Sequence, residues 1–188
     1  FIMKLVVKPR FSQKKSEVKQ IRSVGDIPAV IYSLKKEPAS LIVNGQEFDG
    51  VLIQMQPGHL PITVFTLSDG VKEYQAIIKE IQYHVITYKV SHIDFEELID
   101  GVNVHVKVPV NCIGTMECVG VKLGGVVRQV MRHVKVKCQP KHIPTQFDVD
   151  VKNANIGNSL RVSDLQGITS DVTVLAKDHD VVAVIAKR

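Results

Sequence analysis

Residues 102–110 read Val102-Asn103-Val104-His105-Val106-Lys107-Val108-Pro109-Val110, a valine at every second position with polar residues or proline between. Successive side chains of a strand point to opposite faces, so a period of two describes a sheet with one apolar and one solvated side. Downstream, β-rich runs recur at roughly 125–138, 146–151, 159–163, 172–176 and 181–187, separated by Gly, Asn and Asp turns. Gln129, Arg132 and His133 break strict alternation within the first of these, which predicts a bulge or twist there. The C-terminal part is therefore expected to be all β.

Upstream, the acidic stretch Glu96-Glu97-Leu98-Ile99-Asp100-Gly101 marks the expected boundary, giving one domain at 1–96 and another at 97–188. The first carries mixed signals. Residues 4–8 read as a short strand, and the polar run from Ser12 reads as a helix stopped by Gly25. Only Val18, Ile21 and Val24 are apolar along it, which predicts a narrow buried stripe and leaves Lys14, Lys15, Lys19 and Arg22 facing solvent or a ligand. Ala29-Val30-Ile31-Tyr32 and Leu41-Ile42-Val43 flank the turn Lys35-Lys36-Glu37-Pro38, a hairpin pattern. Asn44-Gly45-Gln46-Glu47 then fits the start of a second helix, with Phe48, Val51, Leu52 and Met55 on one side and Pro57-Gly58 closing it. Residues 62–67, 72–83 and 86–96 return to strand signals.

Composition narrows the chemistry. The 188 residues are 45% hydrophobic, enough for a real core. Three cysteines, Cys112, Cys118 and Cys138, are an odd number with no C-x-x-C pair, so neither a disulfide framework nor a thiol-rich metal site is indicated, and a reducing cytoplasm fits. No stretch approaches the ~20 apolar residues of a membrane span, and Phe1-Ile2-Met3-Lys4 lacks the core of a secretory signal. Met3 reads as a native start, with Phe1 and Ile2 an upstream extension; a soluble, unexported protein is expected. The net charge of +5 is unevenly spread: +7 over 1–36, −7 over 37–100, +6 over 101–144 and −1 over 145–188. Such basic blocks suit a phosphate polymer, whose counterions are released on binding; a solvated charged face is the alternative.

Lys8-Pro9-Arg10, Lys14-Lys15, Lys19 and Arg22, followed by Tyr32 and Lys35-Lys36, combine phosphate-binding cations with a ring able to stack on a base or ribose. His92-Ile93-Asp94 places an imidazole and a carboxylate on one strand face, open to a relay, half a metal site, a nucleic-acid contact or a structural role. His84 shares that face only if no bulge intervenes. Cys112 and Cys118 read as small buried hydrophobes. Gly120-Val121-Lys122-Leu123-Gly124-Gly125 lacks the Gly-Lys-Ser/Thr ending of a phosphate loop and reads as a turn before a strand. Arg128, Arg132, Lys135, Lys137 and Lys141 form a second basic stripe.

These residues resemble the bacterial large-subunit ribosomal protein family L twenty-five, in its long two-domain form also known as general stress protein CTC. The N-terminal resemblance runs from Lys4 to about Phe95 and includes the basic helix, Ile27-Pro28-Ala29-Val30-Ile31-Tyr32 and His92-Ile93-Asp94-Phe95. In the C-terminal part it rests on Val108-Pro109-Val110, Gly114, Gly120 to Val126, Pro140-Lys141-His142-Ile143-Pro144, Asp148-Val149-Asp150 and Ile156-Gly157-Asn158-Ser159-Leu160. The resemblance implies a mostly β protein: an N-terminal β-barrel with two or three short helices, then an all-β domain. It also implies a ribosome-associated, cytoplasmic, non-enzymatic protein without cofactor, metal or small-molecule substrate. The barrel would bind 5S rRNA near its loop E through Arg10, Lys14, Lys15, Lys19, Gln20, Arg22, Tyr32, His92 and Asp94, and the second domain would meet neighbouring ribosomal proteins or RNA. Where the family usually shows Gly-Lys-Gly before a Ser-Arg-Arg-hydrophobic-Arg run, this chain has Lys15-Ser16-Glu17 and Val18-Lys19-Gln20-Ile21-Arg22. Lysine lacks the planar fork of arginine and Gln20 carries no charge, so weaker or redistributed contacts are expected there. The rival reading is a stress-linked protein-binding β module with no specific RNA target.

Overall fold

Alternating buried and exposed residues close the first part of the chain into a six-stranded barrel, seen in a computed structural model that describes residues 2–11, 14–33, 36–70 and 72–187. Its strands are β1 (Ile2–Pro9), β2 (Ile27–Ser33), β3 (Lys36–Val43), β4 (Val64–Ser68), β5 (Glu73–Tyr83) and β6 (Val90–Glu97). Around the barrel they run β1-β3-β2-β6-β5-β4, with β1 parallel to β4 and β2 parallel to β6. Leu5, Val7, Ala29, Ile31, Leu41, Val43, Phe65, Leu67, Ile93 and Phe95 point inward and are buried. Phe65 and Phe95 meet edge to face, ring centres 6.2 Å apart, the arrangement their quadrupoles favour.

Two helices flank the barrel. Helix α1 (Lys15–Val24) ends on Gly25 at φ 98°, where Gly25 N–H and Asp26 N–H donate to the Arg22 and Ile21 carbonyls. Its expected stripe is only partly realised: Val18 and Ile21 are half-buried, but Val24 is 80% exposed. Each three-residue step falls about 60° short of a full turn, so Val24 lies about 120° from Val18 and swings off the barrel. The proposed start at Ser12 and the turn residue Lys35 lie outside the described residues. Helix α2 (Gly45–Gln54) is capped by Asn44, whose Oδ1 accepts from the N–H groups of Gln46 (2.9 Å) and Glu47 (3.2 Å). It drives Phe48 into the barrel core and ends at Met55, ahead of Pro57-Gly58. Gly45 abuts α1's cap: a Cβ there would collide with the Gly25 carbonyl oxygen.

The chain divides into two compact units, residues 1–102 and 103–188. The second has a four-stranded sheet, β10-β7-β9-β12, and a three-stranded sheet, β11-β13-β8. The strands are β7 (Val104–Ile113), β8 (Gly125–Gln129), β9 (His133–Cys138), β10 (Phe147–Asp150), β11 (Ser159–Arg161), β12 (Thr173–Val174) and β13 (Val181–Lys187). Val104, Val106, Val108 and Val110 are all buried while His105 and Lys107 are exposed, the pattern their spacing predicts.

One expectation needs correction here. The run 125–138 is two strands in different sheets; at its irregular centre Val130 and Met131 N–H both donate to the Val182 carbonyl, and Gln129 Nε2 reaches the Val110 carbonyl at 2.6 Å. The broken alternation marks a crossing between sheets, and Arg128 accordingly sits apart from Lys135 and Lys137. The glycine-rich 120–125 segment is the expected turn before a strand: one helical turn, α3 (Val119–Lys122), leads into β8. Gly120 is packed so tightly that a Cβ would lie 2.7 Å from Ile185 Cγ2, so backbone packing demands this glycine.

Candidate nucleic-acid interface

The outer face of the barrel collects the polar residues singled out above. Inward-pointing Ala29, Ile31, Ile93 and Phe95 force Val30 and Tyr32 on β2, and His92, Asp94 and Glu96 on β6, to point outward. Register aligns them: Val30 pairs with Ser40 on β3 and with Asp94 on β6, and Tyr32 pairs with Glu96. Just past β1, Arg10 N–H donates to the Ser40 carbonyl at 2.9 Å, so Arg10, Ser40, Val30 and Asp94 form one rung across four strands.

His92 and Asp94 do share a face, with Nδ1 2.7 Å from Oδ1 and both side chains partly exposed. The approach is an ion-pair distance without the alignment of a ring N–H hydrogen bond, leaving the shielded Nδ1 without a well-directed partner among the described residues. Arg10 Nε is likewise shielded and without a hydrogen-bond partner among the described residues. A buried donor left unmet costs free energy, and an incoming acceptor relieves it.

Tyr32 is half-buried, and its hydroxyl is held above the ordinary tyrosine range, first by burial and then by Glu96, Asp94 and Glu80. Lys79 offsets part of this acidity through a 2.7 Å ion pair with Glu96. Tyr32 is thus a neutral hydroxyl donor amid carboxylates, suited to a ribose or base edge and poorly suited to phosphate.

Exposed cations are carried by α1 and the residue before it. Lys15, Lys19, Gln20 and Arg22 on α1, and Lys14 before it, are exposed. Arg22 is anchored as well: its Nε donates to the Ser91 carbonyl at 3.0 Å, fastening α1 beside the start of β6. The structure therefore brings Arg22 next to the His92 strand, and Arg10 into register with Asp94. His84 lies off the face of His92 and Asp94, although it lines one groove with Arg22 and Ser91. It sits in the turn after β5, where its Nδ1 accepts from the N–H groups of Ile86 and Thr87.

Ser91, which holds Arg22 of the candidate site, has no signal in the sequence, because the contact is made by its backbone carbonyl, which no side-chain pattern encodes. The strand expected over 86–96 is shorter: Val85-Ile86-Thr87-Tyr88 form an exposed tip with Tyr88 at φ 55°, and β6 begins only at Val90. A groove of about 740 Å³ lies between the end of α1, the start of α2 and this turn, lined among others by Arg22, Asp26, Asn44, Asp49 and Ser91. Its lining is of mixed charge, Asp26 and Asp49 against Arg22 and Lys89.

Among the described residues no group of three or more His, Cys, Asp or Glu side chains is placed to hold a metal ion. Burial pushes the Cys112 and Cys138 thiols up, and buried Cys118 donates its S–H to the Ala154 carbonyl, so no thiolate nucleophile is prepared.

Comparison with known proteins supplies the frame. Residues 5–95 match the Ribosomal L25p family, and residues 103–188 match the C-terminal domain of ribosomal protein TL5. The chain is 44% identical over 186 residues to the large ribosomal subunit protein bL25 of Chlamydia trachomatis serovar L2, covering 99% of this chain and all of that protein. The chain belongs to the bL25 family. Other bL25 proteins align over the same span, that of Chlamydia muridarum at 42% identity and that of Chlamydia pneumoniae at 39%. As a bL25 protein the chain carries both matched regions, one on each compact unit.

Proposed function

We propose that this bL25 protein is a structural, non-catalytic component of the large ribosomal subunit that binds 5S rRNA at loop E through the outer face of its barrel and helix α1. It works in the cytoplasm as part of the ribosome, and its second unit meets neighbouring ribosomal proteins or RNA. The observation that carries the reading is the Arg22–Ser91 hydrogen bond, which sets the α1 cations beside the strand bearing His92 and Asp94. In this reading Lys14, Lys15, Lys19, Arg22 and Arg10 take phosphate oxygens, while Gln20, Tyr32, His92 and Asp94 supply the polar contacts to ribose and base that distinguish loop E from a plain helix. Asp94 has a specific use: a carboxylate repels phosphate but accepts from a base amino group.

The test is titration of the purified protein against 5S rRNA, with a loop-E-altered 5S rRNA and a tRNA as controls, over a salt series. Tight binding that is lost with the altered loop, and that weakens linearly in log salt, is the expected result. Equal weak binding to all three RNAs would sink it and favour a protein-binding module.

A further inference from the structure

The valine alternation that builds β7 has a counterpart on its opposite side. Because Val104, Val106, Val108, Val134, Val136 and Cys138 face the core, His105, Lys107, His133, Lys135 and Lys137 all emerge on the solvated face of the β7–β9 ladder. Register sets Lys107 directly opposite Lys135, and His105 directly opposite Lys137. Beyond β9 the neighbour opposite Lys137 is Thr173, with Leu175 next along, so no carboxylate is in register with either lysine. Like charges directly across a ladder are destabilising, the reverse of the usual pairing.

The unit does little to neutralise them. Lys107, Lys135 and Lys137 have no ion pair among the described residues. Six of the unit's seven carboxylates have other partners: Asp150, Asp164 and Asp180 accept from backbone N–H groups of Lys152, Arg161 and Lys177, Asp148 accepts from Gln146 Nε2, Glu117 pairs with Lys152, and Asp171 lies beside His142. The whole charge surplus of the chain also resides here. Residues 1–102 hold twelve basic and twelve acidic residues, whereas residues 103–188 hold twelve basic and seven acidic.

We infer that the exposed face of β7–β9 is a second RNA-docking surface, on which Lys107, Lys135 and Lys137 take the phosphate backbone of a double-stranded RNA segment. This rests on the reading of the chain as an RNA-bound subunit protein, but uses a different unit and needs no loop E. Strands about 5 Å apart with side chains about 7 Å apart along each strand present a grid of charge. Such a grid reads backbone and shape, and contains no fork or amide arranged for base edges. Polyanion binding removes the lysine–lysine repulsion that the free protein bears.

The test uses the full chain and an unbroken RNA hairpin duplex without internal loop. K107Q/K135Q/K137Q is expected to lower affinity at least tenfold at low salt and to reduce the slope of log affinity on log salt by about three, roughly one per lost phosphate contact. K122Q/K177Q/K187Q, with the same net charge, is expected to bind like wild type, and so is K107R/K135R/K137R. Should the triple change disturb the sheet, K107Q and K135Q singly are each expected to lower the slope by about one. An unchanged slope, or the same loss in the control triple, overturns the inference. Wild-type protein that discriminates loop E but ignores the duplex would remove this surface and leave the 5S reading standing; loss of loop-E discrimination with the lysine-dependent duplex binding intact would do the opposite.

Discussion

Arg22 Nε donates to the carbonyl oxygen of Ser91 at 3.0 Å, a bond between the one arginine of α1 and the residue before His92. The guanidinium can hold Ser91 through Nε and still present its two terminal nitrogens outward. Lysine gathers its three donors on one nitrogen and lacks that spread, planar fork, so it serves the two partners less well. Arg22→Ala is therefore expected to weaken 5S rRNA binding about tenfold, on the order of 1–1.5 kcal/mol, and Arg22→Lys to recover less than half of that loss. RNA titration of both variants decides; full recovery by lysine would show that charge alone matters at this position.

Gly45→Ala should damage the same region from behind. The new Cβ collides with the Gly25 carbonyl oxygen, a backbone atom that cannot swing away, so α1 or α2 must shift. Overpacking of this kind costs typically 1–3 kcal/mol, read as a lower urea midpoint, with weaker RNA binding if α1 is displaced. Gly50→Ala on the same helix meets nothing within 4 Å and should stabilise by about 0.5–1 kcal/mol.

That contrast shows what the sequence made legible. Period-two valines, the Asn44 cap and the Gly25 stop each express a local rule, and β7, α2 and the end of α1 form as those rules predict. Barrel closure was reached only through family resemblance, since strand order depends on long-range pairing such as β1 with β4. Within the candidate site, the shared face of His92 and Asp94 was readable from their i, i+2 spacing. The alignment of Arg10 with Asp94 runs through three strand pairings, and the Arg22 anchor ends on a backbone carbonyl; neither has a sequence signature. The 125–138 run was misjudged because two strands that belong to different sheets can follow each other after only three residues.

The thiols provide a control on specificity. Burial raises the Cys112 and Cys138 thiols, which lowers their thiolate fraction at neutral pH, and Cys118 is fully covered. In the native protein a thiol-labelling reagent should react slowly at buried Cys118 and Cys138 and faster at half-buried Cys112, and unfolding in urea should release all three at the rate of free cysteine. Cys112→Ala should leave RNA binding unchanged, because Cys112 belongs to the second unit and carries no group suited to phosphate or base contact. Rapid native labelling at Cys118 or Cys138 would contradict the burial argument.

Tyr32 offers a test of the acidic patch that does not require RNA. Its hydroxyl is raised from the ordinary value of 10.0, first by burial and then by Glu96, Asp94 and Glu80. The folded state thus holds this proton more tightly than the unfolded chain, so the associated stability is complete below pH 10 and is lost as pH rises through the folded value. Phenolate absorbance should show one tyrosine titrating late in wild type, and that component should vanish in Tyr32→Phe. Glu96→Gln should move it back down in part, since burial remains while one charge is removed. Wild type should lose stability more steeply than Tyr32→Phe across the alkaline range; equal slopes would mean that the hydroxyl is solvated and that the carboxylates do not reach it.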